Sequence, residues 1–313
     1  MSSTRMSEAE QRVWAQMPEG TRRALADLPG TDLQTLLLST ARTRAATVTP
    51  ADLMRRWRED RFVRPAVVDP RRLAVVEARI WQLLPPEFHG VELSPVVPLG
   101  ACSAVASVSQ NRVVTTMRAT EVLSDATNAL AIEAAIRRRK QPAGGQVHLA
   151  SSHRHLRAQD FGAGQSAHFR LFTLVSSIRD AGSGTTQALL LTLHLGFWQK
   201  VLADLSPNAE PRLRFTAMDN PVIRERFVDT VLPALTGPAT TTAVSVVDEP
   251  GRQRGKGYYT DAALRITAGD GAKEVELGDG GFTTWTGQLT NNAKERCLIS
   301  CLATERLSAL AEI

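Results

Sequence analysis

The chain has 313 residues, 43% of them hydrophobic and 22% charged, with a formal net charge of +5. A chain this long builds a core without disulfide or metal staples; no apolar run reaches the roughly 18 residues of a membrane span, and the start, MSSTRMSEAEQR, lacks the apolar stretch and cleavage site of a signal peptide. A cytoplasmic protein with no membrane partner is expected; all but five of its 37 basic residues are arginine, whose forks suit phosphates and carboxylates, so a nucleotide or nucleic-acid partner is allowed but not established.

Residues 1–65 read as a helical N-terminal extension, with SEAEQRVWAQM, TRRALADL, TDLQTLLLSTART and TPADLMRRWRED as its helices, and 66–313 as the core. In the last of these helices Thr49 caps, Pro50 opens and Asp52 completes a capping box. A second marked helix follows, in which Asp69 caps, Pro70 opens, Leu73, Val76, Ile80, Leu83 and Leu84 form one apolar face, and Pro85 and Pro86 stop the run. HGVELSPVVP then alternates as a strand ending near Pro95. From Arg112, the strand-like runs RVVTTMR, QVHLASSHRHLRAQ and HFRLFTLVSS are separated by a helix, TNALAIEAAIRRRK, and by a Gly-rich loop. A mostly helical insertion around 185–235 precedes the strands AVSVVDE, YYTDAALRITA and KEVELG, and the closing AKERCLISCLATERLSALAEI reads as a helix. Long strands mixed with helices, with no internal repeat and no βαβ series, give an α+β fold.

Several side chains invite chemistry, each beside a plainer reading. Cys297 and Cys301 fall on one face of the expected closing helix, and buried thiols are the default because zinc lacks two further ligands at suitable spacing. His153 and His155 share a strand face without an evident third metal ligand, so no side-chain metal site is assigned. The run Arg137 to Lys140 suits RNA phosphate, or more simply the negative end of its own helix. Arg157 and Gln159, two apart before a Gly-containing loop, suit a phosphate and a heterocycle edge, or a solvated hairpin face. RGKGYYTD, Arg254 to Asp261, holds both tyrosines of the chain and reads alone as a hairpin turn beginning a strand. GDGGFTTWTGQL, from Gly278, is neither a Walker loop nor a dinucleotide fingerprint and defaults to a turn. Arg306 by itself is a surface arginine.

In order, these segments resemble the catalytic core of class II aminoacyl-tRNA synthetases, and most closely the histidyl-tRNA synthetase family. Asp69 to Pro95 is similar to motif 1, a long helix leading to a strand that ends in proline. Leu156, Arg157 and Gln159, followed by Gly164, His168 and Phe169, resemble motif 2, FRxE then a loop then EF. Arg254 to Asp261 is similar to RGLDYYTG, Gly280, Gly281, Phe282, Thr283 and Thr284 to GGRYDGL, and Ala303 to Leu307 to GLERL. The resemblance implies an antiparallel sheet flanked by helices, a homodimer formed through motif 1, and binding of ATP with Mg2+. It further implies that Arg157 holds the α-phosphate, Gln159, His168 and Phe169 meet the adenosine, and Arg306 meets the β- and γ-phosphates. Arg254 would then activate the carboxylate, with Glu121, Tyr258, Tyr259, Gly280 and Gly281 lining the amino-acid pocket.

Departures from the family set limits. LRPEGT is replaced by Met117 to Glu121, with Thr127 or Asn128 as nearby contributors; the motif 2 glutamate is Gln159, the loop arginine is Gln165, and EFHQ is His168 to Leu171, which removes an amide expected to orient histidine. The family continues past GLERL into an anticodon-binding domain, whereas this sequence stops at Ile313, so anticodon selection is not expected. The resemblance therefore implies activation of an amino acid or related carboxylate as an acyl-adenylate. The acceptor would be a carrier protein, a small amine or a tRNA acceptor stem. Two alternatives stand beside it: a non-catalytic regulatory subunit such as that of ATP phosphoribosyltransferase, and a scaffold docked through its first 65 residues.

Overall fold

The chain enters through helices α1 (Glu8–Trp14), α2 (Thr21–Asp27), α3 (Gly30–Ala45) and α4 (Pro50–Glu59), none of which buries a residue. This computed structural model describes residues 6–106, 108–142, 144–162, 166–237, 244–269, 271 and 274–313. The capping box of α4 is closed in both directions, Asp52 N donating to Thr49 Oγ1 and Thr49 N to the Asp52 carboxylate, each at 3.2 Å. Helix α5 (Pro70–Leu83) starts at the Asp69 cap and buries Leu73, Val76 and Ile80, the face that its spacing predicts.

Two short strands follow, β1 (His89–Gly90) and β2 (Val96–Pro98), in place of one strand through HGVELSPVVP, and Val91 to Pro95 belong to no strand. After α6 (Ala101–Ala106) the expected strand RVVTTMR is a 3-10 turn and a loop whose Thr115 makes a single bridge to Glu121, and β3 (Thr120–Val122) pairs with β2 in a two-stranded sheet. The remaining α-helices and strands are α7 (Ala126–Arg139), β4 (Gln146–Leu156), β5 (His168–Arg179), α8 (Thr185–Leu205), β6 (Arg212–Ala217), α9 (Pro221–Arg226) and α10 (Leu232–Thr236), with a π-turn at Phe227–Val231 joining the last two. They are followed by β7 (Ser245–Asp248), β8 (Ala262–Ala268), β9 (Val275–Thr283), α11 (Trp285–Thr290), β10 (Glu295–Ala303) and α12 (Thr304–Leu310).

Eight strands form one sheet in the order β1-β4-β5-β10-β9-β8-β6-β7. Its six inner strands run antiparallel, and β1 and β7 pair parallel at the edges. Side chains alternate across a strand, which separates two layers. Phe172, Leu174, Leu264, Phe215 and Leu298 meet Leu190, Leu191, Leu195 and Trp198 of α8 on one face. Leu149, Val175, Cys297 and Ile299 meet Leu130, Ala131 and Ala134 of α7 on the other. Helix α7 covers only part of its face, and the uncovered part is the site.

The largest correction lies in the last twenty residues. ERCLISCLA is strand β10, paired on both sides with β5 and β9, and only the end is helical. A strand buried on both faces reads as a continuous apolar run, which periodicity alone cannot separate from a helix. Likewise GDGGFT is the second half of β9 rather than a turn. Its glycines answer to the neighbouring backbone: a Cβ on Gly280 would lie 2.4 Å from the Ile299 carbonyl oxygen, and one on Gly281 2.5 Å from that of Ala262. The run at the end of α7 is consumed structurally, since Arg138 pairs with Glu295 and Arg139 donates to the Leu289 carbonyl.

Between the sheet and α8 lies a buried polar chain. His148 Nδ1 bonds Ser176 Oγ at 2.7 Å, Ser176 Oγ bonds His194 Nε2 at 2.8 Å, and His194 Nδ1 bonds Ser300 Oγ at 2.8 Å. Burial pushes His148 down to about 4 and His194 well below its ordinary value of 6.5. An unfolded chain protonates both near 6.5. Stability is therefore fully present above about pH 6.5 and falls as the pH drops below it, by about 1.4 kcal/mol per pH unit for each histidine, until the folded values are reached. Urea unfolding midpoints between pH 7.5 and 5 measure this, and His194→Gln is expected to flatten the slope.

Candidate functional site

The uncovered face of β9 and β10 floors a cleft of about 720 Å³. Asp279 of β9 and Cys301 of β10 are register partners on this floor, 3.6 Å apart between thiol sulfur and carboxylate oxygen. The run past the end of β4 supplies Arg157, Gln159 and Phe161 to one wall, and the start of β5 supplies Phe169. The loop before β8 brings Arg254, β9 brings Glu276, and α12 brings Glu305 and Arg306. Asp125, the N-cap of α7, closes one end.

Arg157 is the best held of these cations. Its Nε donates to the Ser124 carbonyl at 2.8 Å, its Nη2 lies 3.3 Å from Asp125, and its guanidinium carbon sits 5.2 Å from the centre of the Phe169 ring. Arg254 pairs with Glu276 at 2.9 Å, but its side chain is 69% exposed. A pair so wet contributes little and exchanges readily for a better anion. Arg306 donates to the Glu276 carbonyl at 2.7 Å. With Arg170, which pairs with Glu77, the cleft carries four arginines against four carboxylates, Asp125, Glu276, Asp279 and Glu305. Such a lining binds a ligand with both signs of charge better than a simple polyanion.

Asp279 makes no ion pair among the described residues, and Cys301 is the one donor its carboxylate has there. Burial and the nearby Glu276 raise its carboxyl pKa, while burial and Asp279 itself push the Cys301 thiol well above its ordinary value. Cys301 is therefore protonated and no nucleophile at neutral pH, and the Asp279 carboxyl faces the cleft without an ion-pair partner among the described residues.

Of the residues singled out by sequence, Arg157, Gln159, Phe169, Arg254 and Arg306 share this one cleft, although they come from distant segments. Others lie elsewhere. His168 turns away from the cleft: its Nε2 meets the Arg64 carbonyl at 2.6 Å and its Nδ1 meets Arg154 at 2.9 Å. Glu121 is fully buried and accepts from Gly100 N, Cys102 N and Gln110, so it fixes a loop. Near Glu121 in sequence, the acid that lines the cleft is Asp125, four residues on, signalled in the sequence only by its place as a helix cap that accepts from Thr127 N. Gly280 and Gly281 serve strand packing, as their missing Cβ contacts show.

Tyr258 and Tyr259 belong to a turn before β8, and their backbone nitrogens donate to the Gly255 carbonyl. Tyr259 lies against Gly255 and Gly281, and Tyr258 packs edge-on to both Tyr259 and Trp285. Burial raises the pKa of Tyr258, with further contributions from Asp125 and Asp279, and its phenol is not among the side chains that line the cleft. His155 accepts from Ala126 N at 2.8 Å, and no group of three potential metal ligands occurs among the described residues. Gly164 and Gln165 lie outside those residues. No helix among them is long and apolar enough to cross a membrane.

No family model and no curated protein matches the chain. Solved structures do, and they define the class of fold as that of the class II aminoacyl-tRNA synthetase core. Histidyl-tRNA synthetase of S. aureus aligns with a TM-score of 0.55 at 12% identity, over 78% of this chain and 68% of the other. An ATP phosphoribosyltransferase regulatory subunit/histidyl-tRNA synthetase from Bacillus halodurans gives 0.60 at 10%, over 82% and 83%. A histidine–tRNA ligase subunit from Alicyclobacillus acidocaldarius gives 0.54 at 14%, over 79% and 96%. At such identities the likeness is one of fold.

Proposed function

We propose that the cleft binds ATP and a small amino-bearing carboxylate and joins them as an acyl-adenylate with release of pyrophosphate. One observation carries the reading: Arg157, Arg254 and Arg306, far apart in sequence, line one cleft together with the Phe169 ring. Adenylyl transfer spreads negative charge over phosphate oxygens, and guanidinium groups set in advance stabilise it most where water is excluded. Arg157 takes the α-phosphate, Phe169 stacks on the base, Gln159 accepts an adenine amino hydrogen through its amide carbonyl, and Arg306 with Arg254 takes the outer phosphates and the carboxylate. Asp125 and Asp279 take the ammonium group of the substrate, a role that passes from Glu121 to Asp125.

Mg2+ prefers one or two carboxylates plus phosphate oxygens. Glu276 and Glu305 flank Arg306 in the cleft and suit it, once released from Arg254 and Arg154. Bound there, the ion would neutralise phosphate charge. Dimerisation through α5 and its following strands, as motif 1 implies, belongs to the same reading, as does an acceptor chosen without an anticodon. Calorimetric titration with Mg·ATP tests the binding step: saturable uptake is expected, lost in an Arg254→Ala, Arg306→Ala double variant, and no uptake at millimolar ATP would remove the reading.

The neutral Gln159, where motif 2 has a glutamate, favours a second reading, a regulatory subunit that senses an amino acid. Histidine binding without ATP turnover, together with co-purification of a phosphoribosyltransferase, would select it.

A further inference from the structure

The cleft wall that carries Arg157 and Gln159 is held from outside by the N-terminal segment. Arg61 spans the two: Nη1 donates to the Gln159 carbonyl at 2.6 Å, and Nη2 donates to the Ala158 carbonyl. The turn that presents Arg61 is stiff. The Asp60 carboxylate accepts from Phe62 N at 2.9 Å, the Asp60 carbonyl accepts from Val63 N and Arg64 N, and the guanidinium lies 4.6 Å from the Phe62 ring centre.

Three residues on, the Arg64 carbonyl meets His168 Nε2. A carbonyl only accepts, so Nε2 carries the proton and Nδ1 accepts from Arg154, which pairs with Glu305 at 2.6 Å. Residues 61–64 thus grip the wall at Ala158 and Gln159 and connect through His168 and Arg154 to Glu305, next to Arg306. Past the end of β4 the wall's other backbone ties among the described residues are Arg157 N to the Ala167 carbonyl and Ala158 N to that of Arg112. Helices α1 to α4 bury no residue of their own, so the contacts of residues 61–64 with the wall are not by-products of a packed N-terminal core.

We propose that Arg61 is a positioning residue of the cleft: by holding the Ala158 and Gln159 carbonyls it sets the wall that presents Arg157 and Gln159 to a nucleotide. The inference rests on the nucleotide reading above. A guanidinium fork on two carbonyls fixes direction as well as distance, and misplacing a phosphate-binding wall costs ligand affinity without removing any group that touches ligand.

The test uses the full chain. Arg61→Ala is expected to weaken Mg·ATP binding about tenfold, the scale of losing charge-assisted hydrogen bonds. The thermal midpoint should stay near that of the wild type, while backbone amide exchange speeds up at residues 157–162 and 166–169. Arg61→Lys, which keeps the charge on a single donor nitrogen in place of the fork, should recover part of the affinity, a rescue that a merely structural defect would not give. Unchanged ATP affinity in Arg61→Ala overturns the inference, as does a fall in thermal midpoint that Arg61→Lys fails to repair. A wild-type protein that binds no ATP overturns the nucleotide reading instead; amide exchange in Arg61→Ala then decides whether Arg61 holds the wall.

Discussion

Arg157→Ala is expected to abolish ATP-dependent pyrophosphate exchange, by about 10²- to 10³-fold or more, the range reached when one preorganised donor to developing charge is removed. The size follows from how the side chain is held. Its Nε is fixed on the Ser124 carbonyl, its Nη2 on Asp125 and its plane against Phe169, so the fork need not be ordered at the moment of reaction. Arg157→Lys keeps a charge but no fork and should fall between the two. Fold should survive in both, since the side chain is half-buried on the cleft wall and outside the core; losing its bonds costs about 1–2 kcal/mol. Initial rates of labelled pyrophosphate incorporation, read beside a thermal melt, check the pair of expectations. Normal exchange in a folded Arg157→Ala protein would defeat the assignment of the cleft.

The second large effect concerns stability. Arg138 and Glu295 form a two-point pair, with Nε and Nη2 on the two carboxylate oxygens at 3.0 and 2.8 Å and both side chains under 5% exposed. Ser177 Oγ donates to the same carboxylate at 3.1 Å. The pair ties the end of α7 to the first residue of β10, and so joins the layer that bounds the cleft to the sheet that floors it. Removing one partner strands a buried charge, which costs about 3–5 kcal/mol. Arg138→Ala and Glu295→Ala should each lower the unfolding free energy read from urea titration by that much, whereas the double variant should cost far less than their sum. Additive losses would mean that the two side chains act separately.

Much of this fold is legible because its helices announce themselves chemically. Thr49 with Asp52, and Asp69 with Pro70, mark two helix starts that stand where expected. Strand β10 hid because ERCLISCLA is apolar on both faces, so a period of two never shows. The second half of β9 hid for another reason: its glycines suit a turn as well as a strand whose neighbours press close, and only the distances to the Ile299 and Ala262 carbonyls distinguish them. The site divides the same way. That Arg157, Arg254 and Arg306 share a cleft is legible in their spacing along the motif order of the resemblance. Asp279 was not, because an aspartate between glycines looks like a turn residue until its register beside Cys301 sets it on a cleft floor. Glu121 stands near the position where the motif order expects a pocket acid, but its three hydrogen bonds lie inside a loop, and Asp125 reaches the cleft as a helix cap.

Pyrophosphate exchange by the wild-type protein, screened over the amino acids with Mg·ATP, reads adenylate formation in this cleft directly. Exchange with at least one of them, strongest for a substrate bearing a free ammonium group to meet Asp125 and Asp279, is expected. Silence across the whole set from a folded protein that still binds histidine would contradict it.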